Sequence, residues 1–199
     1  MAWISGNRYL SMAEMQNNVN LQFEQLHNYG WTNEAIAGLL GNEQHESTIN
    51  PAIWQNLHQV VSNGYGIVQR TPSTNETTWL TQNGYAIDSG EGETAHLQYD
   101  VEHNTQWSAT RDYNFTFAQY TKMNYEVDYM TKAFCKNFER AGTEAMDYRI
   151  AYAKVWYDYI NNITPPPTPP TPPVSPPRAA LPIALPIPIF VAFLKALIT

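Results

Sequence analysis

The sequence predicts a mainly α-helical domain with one small extended or hairpin segment, followed by a proline-rich linker and an apolar C-terminal tail. Three observations carry that expectation. Apolar residues recur at helical spacing through most of residues 1–163. Glycines and a short apolar run interrupt them over Asn63 to Pro72. Composition then changes abruptly after Ile163. At 199 residues the chain is long enough for one well-buried domain and an appendage.

The elements follow in order. Ser11 and Glu14 stand in capping-box spacing ahead of Met12, Met15, Val19, Phe23 and Leu26, which share one face, and Gly30 closes this first helix. Thr32 or Asn33 caps a second, with Ile36, Leu39 and Leu40 facing inward, ending near Glu46. "NGYGIVQRTP", Asn63 to Pro72, reads as a turn with an extended or hairpin segment. Further helices are expected over Thr74 to Gln82, Glu93 to Trp107, Val127 to Arg140 and Thr143 to Ile160, with Gly142 separating the last two.

Beyond the domain of residues 1–163, "TPPPTPPTPPVSPP" (164–177) is a polyproline II spacer. At about 3.1 Å per residue it reaches roughly 40 Å. Residues 178–199 are almost wholly apolar, yet Pro182, Pro186, Pro188 and Lys195 interrupt them, so a simple membrane-spanning helix is a poor reading. So much apolar surface implies docking onto a protein or entry into a membrane.

The formal net charge of −7 sets a field that repels nucleic acid and anionic membrane surfaces, so no nucleic-acid partner is expected. Cys135 is the only cysteine, which excludes an intramolecular disulfide and any cysteine-based metal cluster. The five histidines are scattered without a His-Glu-x-x-His pattern, so neither a metal nor a cofactor is expected. The N-terminus lacks the basic and apolar regions of a secretory leader.

The chemistry concentrates in "GNEQHESTINPAIWQ", Gly41 to Gln55. The inward series Ile36, Leu39, Leu40 continues into Glu43 and then Glu46 or Ser47, so an apolar stripe ends in carboxylates. A carboxyl at such a place loses hydration, and a neighbouring carboxylate repels its charge; both favour the protonated form that a general acid needs. Taken alone, an acidic helix end is more often merely solvated. His45 points elsewhere on the helix, as a surface or subsite residue.

That stretch, followed by "GYGIVQRTP", "FCKNFERAG" and "RIAYAKVWYDYI", resembles the phage tail lysozyme family over roughly Trp3 to Ile160. Glu-Ser followed by a Gly-x-x-Gln stretch is also similar, more distantly, to goose-type lysozymes and lytic transglycosylases. The resemblance implies a lysozyme-like fold and a peptidoglycan-cleaving activity carried on a phage virion at the tail tip, acting at the bacterial cell wall during host entry. It implies that Glu46 is the catalytic acid and that Ser47, Trp54, Tyr65, Gly66, Gln69 and Arg70 surround the substrate. Tyr65 and Trp54 are the candidates for stacking on sugar rings, while Trp79, Trp107, Trp156, Tyr152 and Tyr159 sit at core-like spacing. Ser47 would either hold a local backbone bond or orient the carboxyl. The tail, 178–199, would then meet tail-tip or tail-knob proteins or the host membrane.

Two residues depart from the family's pattern: Arg70, where a tryptophan is common, and Glu43, where an apolar residue is common. Arg70 would replace a stacking surface with a cationic one, and Glu43 would either tune Glu46 or reach solvent. They keep open a structural alternative, a tail-tip plug or membrane-penetration protein with a degenerate domain. A two-carboxylate hydrolase also needs a second acid about 5 to 9.5 Å from the first. Asp88, Glu91 and Glu93, expected on a mobile glycine-rich loop, are the candidates. If none reaches the cleft, Glu46 alone would serve, as in a lytic transglycosylase.

Overall fold

A computed structural model describes residues 1–142 and 144–163 of the chain. The spacer and apolar tail expected over residues 164–199 lie outside the described residues. The helices are α1 (Met12–Asn28), α2 (Asn33–Ser47), α3 (Thr74–Gln82), α4 (Gly90–His103), α5 (Phe117–Tyr120), α6 (Val127–Phe134) and α7 (Met146–Asn162). A 3-10 turn (Gln55–Leu57) follows α2, and a π-helical turn (Cys135–Glu139) continues α6.

Local chemistry accounts for the first two helices. The Ser11 hydroxyl accepts from Glu14 N while the Glu14 carboxylate accepts from Ser11 N at 2.9 Å, a complete capping box. Met15, Val19, Phe23 and Leu26 are buried as the spacing predicts, whereas Met12, in the first turn, is 44% exposed. Thr32, rather than Asn33, caps α2 by accepting from Ala35 N at 3.2 Å.

Helix α2 is the centre of the domain. Every residue from Ala35 to Glu43 is buried, so the helix is enclosed on all sides rather than on one stripe. Helices α1, α6 and α7 pack against it. Gly41 makes the α7 crossing possible: a Cβ there would collide with Arg149 O and Ala153. Truncating a fully buried residue such as Leu39 to Ala would cost about 2–5 kcal/mol.

The interruption over Asn63 to Pro72 is a tight hairpin-like turn. Tyr65 and Arg70 exchange backbone bonds, at 3.2 and 3.1 Å, and Tyr65 also bridges to Trp54; these are isolated bridges, with no longer ladder among the described residues. Gln69 sits at φ 49 and Gly66 at φ 83.

Three of the expected helical spans have different boundaries. Helix α4 begins at Gly90, not Glu93, because the Ser89 hydroxyl accepts from Gly92 N at 3.0 Å; it stops at His103, where Asn104 turns left-handed. Glu91 and Glu93 are therefore in a helical first turn, not on a mobile loop. The span Val127 to Arg140 divides into α6 and the π turn, and α7 starts later and ends later than expected. The short α5, held by a Thr116–Gln119 capping box, is an element that apolar periodicity passes over.

Candidate active site

The end of α2 creates the site. Thr48 and Ile49 both adopt φ 55, and this left-handed reversal stops the helix one residue after Glu46's neighbour, Ser47. Glu46 is left in the last turn, its side chain 22% exposed, in an open cleft of about 520 Å³. Ile53, Trp54, Gln55 and Asn56 line the cleft, together with Gln69 and Thr71 from the hairpin-like turn. Glu139, Arg140, Ala141 and Gly142, the exit from the π turn, line it too; His45 and Tyr9 complete it.

Arg149 of α7 fixes the carboxylate. Its side chain is 1% exposed, and Nη2 donates to Glu46 Oε1 in an ion pair. Nη1 donates to Asn42 Oδ1 at 3.0 Å and Nε to Glu144 O at 2.7 Å. The guanidinium thus has little freedom, and it holds Glu46 in one orientation. The solitary desolvated carboxyl suggested by the apolar stripe is instead an ion-paired one. Glu43 neither reaches solvent nor repels it: Glu43 is fully buried, Gln22 Nε2 donates to its Oε1 at 2.8 Å, and burial pushes its carboxyl up to about 8. A neutral Glu43 brings no negative charge to Glu46.

Several residues expected at the substrate lie behind the cleft instead. Arg70 is a correction: it is buried, pairing with Glu76 and Asp100 at 2.5 Å and lying 5.3 Å over the Phe138 ring, so it offers no cationic surface to a ligand. Tyr65 is 2% exposed, packs edge-on beneath Trp54 at 4.9 Å, and donates to Ile87 O at 3.1 Å; it supports Trp54 rather than presenting a ring. Gly66 is required by its own surroundings, since it sits at φ 83 and a Cβ there would strike the Glu93 carboxylate. Ser47 is buried and donates to Glu43 O at 3.0 Å and Ile67 O at 2.6 Å, the backbone alternative of its two expected roles.

Trp54 and Gln69 do line the cleft. The Gln69 amide donates to Ile53 O at 3.1 Å and Gly66 O at 2.9 Å, so its nitrogen is committed to the wall.

None of the three candidates for a second carboxylate lines the cleft. Asp88 is exposed on the approach to α4. Glu91 lines a different depression with Trp3 and Gln25, across α1. Glu93 is buried behind the turn, where its Oε2 accepts from Ile67 N at 2.5 Å; burial and nearby Glu76 push its carboxyl well above the ordinary range.

The acid that does line the cleft with Glu46 is Glu139. Its Oε1 is buried with no hydrogen-bond partner among the described residues, and burial, reinforced by the Glu46 charge, pushes the carboxyl well above the ordinary range. It closes a π turn, whose extra residue per turn shifts every later side chain away from the α-helical register. That shift hides Glu139 from periodicity. Arg149 was more legible: it occupies the same inward series as Ala153, Trp156 and Ile160, a lone cation on a buried face.

A helical domain whose central helix ends in a carboxylate facing an open polar cleft has the architecture of a lysozyme-like protein. The phage tail lysozyme family model matches residues 17–160, and the chain belongs to that family. It is 38% identical over 154 residues to Morphogenesis protein 1 of Bacillus phage B103, which covers 77% of this chain and 42% of that protein. The chain thus spans less than half the length of that relative.

Proposed function

We propose that this chain is a muramidase that cleaves the N-acetylmuramic acid to N-acetylglucosamine linkage of peptidoglycan, with Glu46 as its essential carboxylate. The observation that carries this reading is Glu46 itself, clamped by Arg149 and facing an open cleft. Family membership agrees with it. An open groove suits a polymer, because a strand can lie across it without an end being threaded. Trp54 supplies an aromatic face at its wall, and His45, Gln55, Asn56 and Arg140 supply polar groups for hydroxyl and acetamido substituents. The protein is proposed to act from a phage virion at the cell wall, with residues 178–199 engaging tail-tip proteins or the host membrane.

The departures that favoured a degenerate structural plug lose their weight, since Arg70 and Glu43 are both buried away from the cleft. The direct test is mass spectrometry of muropeptides released from Gram-positive cell wall by the full chain and by Glu46→Gln. Reducing ends from the wild type alone are expected. Release of 1,6-anhydro ends would make the reaction a lytic transglycosylation, and equal products from a folded Glu46→Gln would remove Glu46 from the chemistry.

A further inference from the structure

We propose that Glu139 and Glu46 work as a single acid–base pair holding one proton, which rests on Glu139 while Glu46 carries the charge. The inference deepens the reading of the cleft as a glycan-cleaving site and rests on it.

The geometry leads to it in three steps. Both side chains line the same cleft. The hydrogen bonds that Arg149 makes go to Glu46, Asn42 Oδ1 and Glu144 O, and none goes to Glu139. Glu139 Oε1 is buried with no donor to it among the described residues, a position that costs an ionised carboxylate far more than a neutral carboxylic acid. The titratable and charged groups around Glu139 are Glu46 and Glu43 from α2, Arg149 from α7 and Arg70 from the hairpin-like turn, of which Glu43 is held neutral by its burial. Glu46 disfavours its ionisation and the two arginines favour it. Desolvation outweighs them all, and the net direction is strongly upward.

Two carboxyls whose surroundings drive them to opposite protonation states are the equipment of acid–base glycoside cleavage. One proton passes from the pair to the glycosidic oxygen as the C1–O bond breaks with its electron pair on that oxygen. Water then adds hydroxide to C1 and returns its remaining proton to the pair, which ends each turnover as it began. The π turn is the device that brings Glu139 to the cleft.

Two readouts on the full chain test this. Carbon-13 carboxyl NMR with labelled glutamate, assigned through Glu46→Gln and Glu139→Gln, should show Glu139 titrating above the ordinary carboxylate range and moving down when Glu46 is neutralised. An ordinary titration that ignores Glu46 would overturn the pairing whether or not the protein cuts peptidoglycan. On cell wall, Glu139→Gln should lose about 100-fold at neutral pH. Its residual activity should depart from the wild-type pH profile, and Glu139→Asp should recover part of the loss. Activity within a factor of about three of wild type, or a loss with the wild-type pH profile, would overturn the proposal. A wild type that leaves cell wall intact while Glu139 titrates high would instead remove the muramidase reading.

Discussion

Two arginines of this molecule do opposite work with the same kind of partner, a carboxylate. Arg70 is sealed behind the hairpin-like turn with Glu76 and Asp100, all three side chains at most 5% exposed, while His96 adds a ring nitrogen 3.0 Å from Glu76. Arg149 is as deeply buried, but its carboxylate partner Glu46 is 22% exposed and opens on the cleft. The sealed cluster has no access for a ligand, so its free energy goes into holding the turn against α3 and α4. The open pair keeps one face of its carboxylate for something else. An ion pair on a cleft wall is thus a poor guide to chemistry until the exposure of each member is known.

The comparison is tested most sharply at Glu46. Glu46→Gln should lower cell-wall cleavage by about 1000-fold or more, with a smaller loss of stability than at the sealed cluster, since the buried Arg149 loses its charge partner but keeps its bonds to Asn42 Oδ1 and Glu144 O beside an open cleft. Arg70→Met should do the reverse in kind. It strands Glu76 and Asp100 as uncompensated buried charges and should cost about 3–5 kcal/mol in chemical denaturation. A small stability loss there would mean that the sealed cluster is not structural.

Glu43 offers a pH-dependent version of the same contrast. Its carboxyl is held up to about 8 in the folded protein, against an ordinary value near 4.5 in the unfolded chain. Between those limits the unfolded state releases a proton that the folded state keeps, so this group's contribution is full below pH ~4.5 and is lost as pH rises through ~8. The slope is at most about 1.4 kcal/mol per pH unit. Glu43→Gln should flatten that part of the stability profile, read by thermal unfolding across pH. The smallest effect is expected from Tyr65→Phe, which removes the bond to Ile87 O and should cost about 1 kcal/mol without lowering cleavage. A large activity loss would return Tyr65 to the substrate.

The parts legible in the sequence are those written locally. The Ser11–Glu14 box, the Thr32 cap and the stripe Ile36, Leu39, Leu40 are all decided within a few residues. The glycine-marked interruption over Asn63 to Pro72 was equally plain. The partners of Glu46 were not, because Arg149 lies 103 residues away and meets it only through the packing of α7 on α2. The glycines between Ile87 and Glu93 suggest a loop able to carry a second acid to the cleft. A helix cap at Ser89 had already turned those acids elsewhere, and the π turn that delivers Glu139 has no periodic signature.

The backbone of Ile67 is gripped on both sides of its Cα, its N–H by Glu93 Oε2 at 2.5 Å and its carbonyl by the Ser47 hydroxyl at 2.6 Å. Ser47 is the residue after Glu46, and Ile67 belongs to the turn that carries Gln69. One hydroxyl therefore gauges the spacing between the helix end and the wall. The groove is built as a die rather than a pair of jaws, its width set by one buried contact between the helix end and the wall.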